Sequence, residues 1–536
     1  MLQTQKLLKH QKQKTKQMKK EKFTEEEKKI LSHYVTNLES DVYCIKNLPE
    51  EVIAVLFAFY SRSENTLKEN LLKMIKEKDI DLTSAKDIYG QELGTAKEKA
   101  AKFHEKWVIN YGHASIAEHA SMKFALQNIS NVFTKIIEDN RLASFTEKSS
   151  RYVIFDKNAF YKPKKIIESE LGPEYIEVMH ILFDTYEKLQ EPMKQYIREK
   201  MPKQENISDR AYEASVKAKA CDIIRYLLPA ATLTSMGISI NARAAAHAIR
   251  KLLSNPLEEC QETGKKMLEE GKKICPTLLK YAKQNKYIYE TNKAIQELTN
   301  KKFSEPATLE QPVKIVNYDK EAENKLIAAI LYKYSTQNYT KILNAVKEMS
   351  QEQKEKILDE YLKRLEEHDW PLRELEHINF TMEMIMDLGA FRDVQRHRIA
   401  TQTVQLNTCA HGYETPQDII QAGFQKEYDF AMKTAKELYD KVVKKFPLEA
   451  QYIVPYAYRK QMLFTWNLRE LEHFIRLRSG EHGHESYRKI AQECHKEIEK
   501  KFPLLAKYLR VDKNEYYLGR LKSEVKFDEK LKKIQN

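Results

Sequence analysis

The 536-residue sequence carries a formal charge of +13, with 32% charged residues but only 13 glycines and 15 prolines. That balance fits a helix-rich chain of more than one domain and excludes collagen-like, low-complexity and disulfide-dense classes. The longest unbroken apolar run, residues 52–60, is too short to cross a bilayer.

Residues 1–22 hold eight lysines and one glutamate. They read as a solvated extension rather than a nucleic-acid arm, and no apolar segment follows to make a signal peptide. From Glu25 the pattern turns amphipathic. Residues 49–61 predict a helix with Pro49 in its first turn and acids behind it. A long helix is expected over 84–110, ending near Tyr111-Gly112. Met122, Phe124 and Leu126 then alternate with polar or small residues, a strand signal, and helical spacing returns over 130–140. Arg151–Phe155 reads as another strand. Helices are expected over 165–200, 208–228 and 241–285, with Pro229, Pro256 and Pro276 as breaks. Residues 286–311 are polar, lack a strong period and read as a linker.

The order of features then repeats. Residues 312–335 echo 35–61, and Glu376-His377 echoes Glu118-His119. The alternating set Ile378, Phe380, Met382 and Met384 predicts a second strand. Each half continues into an arginine-bearing loop, a tyrosine segment ending at Pro163 or Pro416, and an Asn-x-Arg helix, Asn241-Ala242-Arg243 or Asn467-Leu468-Arg469. This predicts an internal duplication, two copies of one α+β domain. The expected layout is an extension over 1–34, a first domain over 35–285, a linker over 286–311 and a second domain over 312–520.

Arg396-His397-Arg398 places three potential cations together, with no acid before Tyr413, and suits a polyanion such as a phosphate or dinucleotide. The six cysteines are scattered without a CxxC pair, which points to a reducing cytoplasm. Cys409 reads as a small buried residue, and the spacings of His473, His482, His484 and His495 fit no metal motif. No GxGxxG loop is present.

Set side by side, the halves resemble flavin-dependent thymidylate synthase. That family is marked by an Arg-His-Arg triplet followed by serine, glutamate, serine and arginine-tyrosine positions. A Gly-His-x-Ser-x-x-Glu-His element lies upstream and an Asn-x-Arg helix downstream. The first half matches the upstream element through Gly112, His113, Ser115, Glu118 and His119, and the loop through Arg141, Ser144, Glu147, Ser149, Arg151 and Tyr152. Its triplet, however, reads Asp139-Asn140-Arg141. The second half keeps Arg396-His397-Arg398, Asn467, Arg469 and Arg478, but has Val404, Leu406 and Thr408 in the loop, Gln451 for Arg225, and Trp370-Pro371 for Gly-His.

The resemblance implies two tandem copies of an antiparallel sheet flanked by long helices. It assigns dUMP to Arg141, Ser144, Glu147, Ser149, Arg151, Arg225 and Arg478. FAD falls to His113, Ser115, Glu118, Arg396, His397, Arg398, Asn467 and Arg469. NADPH and methylenetetrahydrofolate would be co-substrates, with no metal and no enzymic nucleophile. Because family members build sites between subunits, the complementary losses suggest a homodimer acting as a pseudo-tetramer in which half the ancestral sites survive. The alternative is a catalytically altered relative that binds nucleotide or flavin in a regulatory or scaffold role.

Overall fold

The computed structural model describes residues 23–61, 63–76, 114–303 and 305–535. The lysine-rich residues 1–22, the helix expected over 84–110 and His113 lie outside the described residues. Seven strands are described: β1 Ser121–Ser130, β2 Ala143–Glu147, β3 Leu233–Asn241, β4 Val313–Tyr318, β5 Asn379–Asp387, β6 Thr401–Val404 and β7 Arg459–Asn467. They form two antiparallel sheets, ordered β1-β3-β2 and β4-β5-β7-β6. The registers correspond. Asn241, ending β3, lies opposite Ser121, and Asn467, ending β7, lies opposite Asn379. At the place of β4, the first half has an isolated bridge, Val35 to Ile45.

The helices that position the site are α1 Asn131–Ile137, α2 Gly172–Lys188, α3 Asp209–Ile224, α4 Ala242–Leu253 and α5 Lys286–Lys302 in the first part of the chain. They are followed by α6 Leu388–Val394, α7 Gln425–Lys445, α8 Leu468–Ser479 and α9 Leu521–Gln535. Equivalent helices start alike, with a side chain accepting from a free backbone N–H. Ser130 caps α1 and Asp387 caps α6, by bonds of 3.0 and 2.7 Å. Asn241 caps α4 and Asn467 caps α8, each at 2.8 Å. The asparagine of each Asn-x-Arg element is thus a helix cap, and the helix dictates where its arginine points.

The halves meet about an approximate twofold axis. Pro229 and Pro455, equivalent residues, face each other in an antiparallel bridge. Ala230 donates to the Val454 carbonyl and Tyr456 to the Leu228 carbonyl, both at 2.9 Å. Ala231 donates to Tyr452 and Ala457 to Tyr226, at 2.9 and 3.1 Å. Exchanging the halves maps each bond of a pair onto the other, as in an isologous dimer interface. Helices α2 and α7 pack together beside it, bridged by Lys441–Glu174 and Lys188–Glu427. One contiguous apolar core runs through both halves, and a smaller one gathers residues 31–74.

Three expectations need correction. Residues 151–155 form no strand: the chain turns over 150–152, because Arg151 is drawn to α3 instead of continuing the ladder. Residues 286–302, expected to be aperiodic, form helix α5, none of whose residues is buried. The segments 165–200 and 208–228 are broken into shorter helices, with α3 ending at Ile224 ahead of a 3-10 turn over Arg225–Leu227. Among the described residues no helix is long and apolar enough to cross a membrane.

Candidate functional site

Glu147 ends β2 and points between the halves. Its Oε1 accepts from Arg392 at 2.8 Å and its Oε2 from Lys135 at 3.2 Å. Arg392 lies on α6, one turn before the triplet, and its other amino group donates to Ser150 Oγ at 2.9 Å. Burial pushes the Glu147 carboxyl up, but Arg392 and Lys135 more than reverse this and hold it below its ordinary value. The residue is therefore a buried, doubly paired carboxylate.

Arg151 goes elsewhere. Its guanidinium takes both oxygens of Asp222 at 2.7 Å each and donates to the Tyr487 hydroxyl at 2.9 Å. Burial pulls the guanidinium down, and Asp222 more than restores it. Arg225, at the C-terminal end of α3, is 1% exposed, and its Nε and Nη2 have no hydrogen-bond partner. It faces Gly389 of α6, where a Cβ would lie 3.6 Å from both nitrogens.

Asp393 is the internal anion of this cluster. Its oxygens lie 3.8 Å from Arg225 and 3.8 Å from Arg396. Burial raises its carboxyl, but Arg396, Arg225, Arg478 and Arg151 together hold it at about 2. His397 is buried. Its Nε2 must carry the lone pair, because Arg478 Nε–H donates to it at 2.9 Å; Nδ1–H therefore faces Glu470 Oε1 at 3.2 Å. Burial and Arg478 drive the ring well below its ordinary pKa, so it stays neutral.

The structure thus gathers Glu147, Arg151, Arg225 and Arg478 of the expected nucleotide set with Arg396 and His397 of the expected flavin set. Ser149 lies on the same loop, its Oγ accepting from the Arg151 N–H at 3.2 Å. Ser144 points outward from β2. Arg141 lies apart, donating to the Ala400 carbonyl and Thr401 hydroxyl at 3.3 and 3.2 Å.

A second cleft, of about 1130 Å³, opens between α4 and the triplet loop. Glu118, Arg141, Arg243, His247, Lys251 and Arg398 line it, with Asp139 paired to Lys251 and Glu118 to Arg243. Ser115 sits on the same 3-10 turn as Glu118. In the second half the equivalent helix face is covered. Trp370 stacks on His473 with ring centroids 4.1 Å apart, and Arg469 bonds the Pro371 carbonyl and Glu376. Asn467 and Arg469 therefore lie on a different face from Ser115 and Glu118, and one chain does not unite the whole expected flavin set.

The counterpart of the arginine cluster has been filled in. Gln451, in the place of Arg225, accepts from the Asn407 N–H at 3.1 Å, and buried Lys460 donates to Asn407 Oδ1 at 2.6 Å. Sequence reading missed Asp222, Arg392 and Asp393. A signal for the last two existed: they lie four and three residues before Arg396, on one helical face.

Paired antiparallel sheets, matching Asn-x-Arg helices and one buried arginine cluster define an internally duplicated α+β protein. The chain belongs to the thymidylate synthase complementing protein family, whose profile matches residues 45–277 and 314–504. It is 35% identical over 528 residues to a UPF0159 protein of Chlamydia pneumoniae, covering 95% of this chain and 98% of that one. It is 30% identical to a UPF0159 protein of Thermoplasma acidophilum, covering 82% and 95%. It is also 30% identical over 190 residues to a flavin-dependent thymidylate synthase of Clostridium tetani, covering 35% of this chain and 72% of that one.

Proposed function

We propose that the protein is an FAD-dependent thymidylate synthase that methylates dUMP to dTMP with methylenetetrahydrofolate and NADPH. The carrying observation is the convergence of Arg151, Arg225, Arg396 and Arg478, two from each half, around Asp393. Planar guanidinium groups with unpaired N–H bonds suit a phosphate monoester. The free Nε–H and Nη2–H of Arg225 would bind its oxygens, with no side chain at Gly389 to pack against them. Arg396, exposed at the rim, would hold the base edge or its neighbour ring.

The open cleft fits a dinucleotide cofactor. Arg141, Arg243, Lys251 and Arg398 supply cations for a pyrophosphate, while Leu278 and Tyr281 supply apolar wall. FAD bound there would carry the hydride chemistry. The chain's own part is to hold two rings in register, exclude water and polarise by fixed charge. A homodimer would bring the Asn467–Arg469 face of one chain towards the cleft of its partner.

The test is dTMP formation from dUMP, methylenetetrahydrofolate, FAD and NADPH. Product that requires every component is the expected result; no product and no retained flavin would remove the reading. Arg151→Ala should weaken dUMP binding about tenfold or more while flavin stays, as expected for loss of a charged hydrogen bond. A second reading, a non-catalytic nucleotide-binding relative, is favoured by one observation: Arg151 is already held by Asp222. dUMP binding without turnover would select it.

A further inference from the structure

The family match ends at residue 504, and the chain beyond it crosses back onto the first half. Tyr517 donates to Asp418 at 3.0 Å, with Lys200 and Lys219 each 4.5 Å above its ring. His482 Nδ1 meets the Gly519 carbonyl at 3.0 Å, and a Cβ at Gly519 would lie 2.1 Å from the Glu481 carbonyl. Then α9 lies along α3, where Arg210 pairs with Glu524 and Asp528.

Between these anchors stands Arg520, 9% exposed. Its guanidinium lies 4.3 Å over the Tyr152 ring, and Nη1 donates to the Arg151 carbonyl at 3.5 Å. Its Nη2 is buried, makes no hydrogen bond and sits 3.5 Å from Asp222 Oδ2. Asp222 is the carboxylate that holds Arg151. All three residues line a cavity of about 390 Å³.

We propose that Arg520 is a positioning residue that takes Asp222 over from Arg151 when a phosphate monoester draws Arg151 away. This rests on the reading that Arg151 serves the nucleotide's anion. Without a second cation, releasing Arg151 would strand a buried carboxylate, which is costly. With Arg520 in place, Asp222 turns to an N–H that is already 3.5 Å away and unused. Tyr152 and the contacts of Tyr517 and Gly519 hold that N–H where it is needed.

The test is a double-mutant cycle on the full chain, read by calorimetry with inorganic phosphate and, separately, with dUMP. Arg520→Gln is expected to weaken both by about tenfold, the scale of one charged hydrogen bond. Arg520→Lys should recover most of that loss. In an Asp222→Asn background, with no carboxylate to re-pair, Arg520→Gln should have no further effect. Equal loss in both backgrounds, or none in either, overturns the exchange. Should Arg520→Gln fold poorly by melting temperature, Asp222→Asn alone carries the test. Freeing Arg151 is expected to tighten phosphate binding, and unchanged or weaker binding overturns the exchange. A chain that follows the cycle with inorganic phosphate but ignores dUMP keeps the exchange and removes the thymidylate reading. One that binds neither overturns the exchange.

Discussion

Glu147, Arg151 and Asp393 each meet an opposite charge in the interior. Glu147 is paired twice, so removing its charge leaves Arg392 without its carboxylate and Lys135 with Glu138 alone. Glu147→Gln is expected to cost about 3 kcal/mol in urea denaturation, the usual result of breaking one side of a buried pair. Lys460 gives a pH signature. Burial, with Lys135 nearby, lowers its amine to about 7, against 10.5 for an ordinary lysine. Between those values the unfolded chain holds the extra proton, so stability rises with pH across that window. Lys460→Met removes the penalty. Its gain, on the order of a few kcal/mol below pH 7, should shrink towards pH 10 in paired melts. Glu147, Arg151 and Arg225 were legible as residue types in the sequence. Asp222, the partner of Arg151, was not, because a pairing 71 residues apart leaves no local spacing to read.

At the scale of elements, the two Asn-x-Arg helices begin alike and end in different surroundings. The same N-cap geometry aims Arg243 at Glu118 and Arg469 at Glu376. What differs is the cover. Burial under Trp370, with His397 close by, lowers the His473 ring to about 4. Trp370→Ala should raise that value towards an ordinary histidine's in an NMR titration, with about 1 kcal/mol lost in stability for the stacked pair. A titration that does not move would mean that Trp370 is not the cover. The strands at 121–130 and 379–387 were legible because one face alternates into the core. The residues over 151–155 have strand composition, yet the turn at Arg151 overrides it, since two 2.7 Å bonds to Asp222 outweigh a weak β preference. Helix α5 escaped notice for the opposite reason: its few apolar residues, Ile288, Ile295 and Leu298, are spread thinly among polar ones and none is buried.

For the whole molecule, the duplication was the most legible feature, because it depends only on the order of motifs. How the copies dock was not, since the strand pair around Pro229 and Pro455 bonds through backbone atoms that no side chain announces. The core runs across this seam, with Tyr452 and Tyr456 among the largest fully buried side chains. Residues 35–285 and 312–520 produced separately are expected to aggregate, and to form a one-to-one complex when produced together, as read by sedimentation. Two stable, separate monomers would contradict the shared core. The seam has one more consequence. Identical subunits inherit every substitution at every equivalent place at once. Two copies tied on one chain escape that rule, which is how Asp139 and Arg396 come to occupy matching positions with opposite charge. Covalent linkage gives each copy its own mutational history while fixing their ratio, so one can lose an anion site without depriving the other of its neighbour.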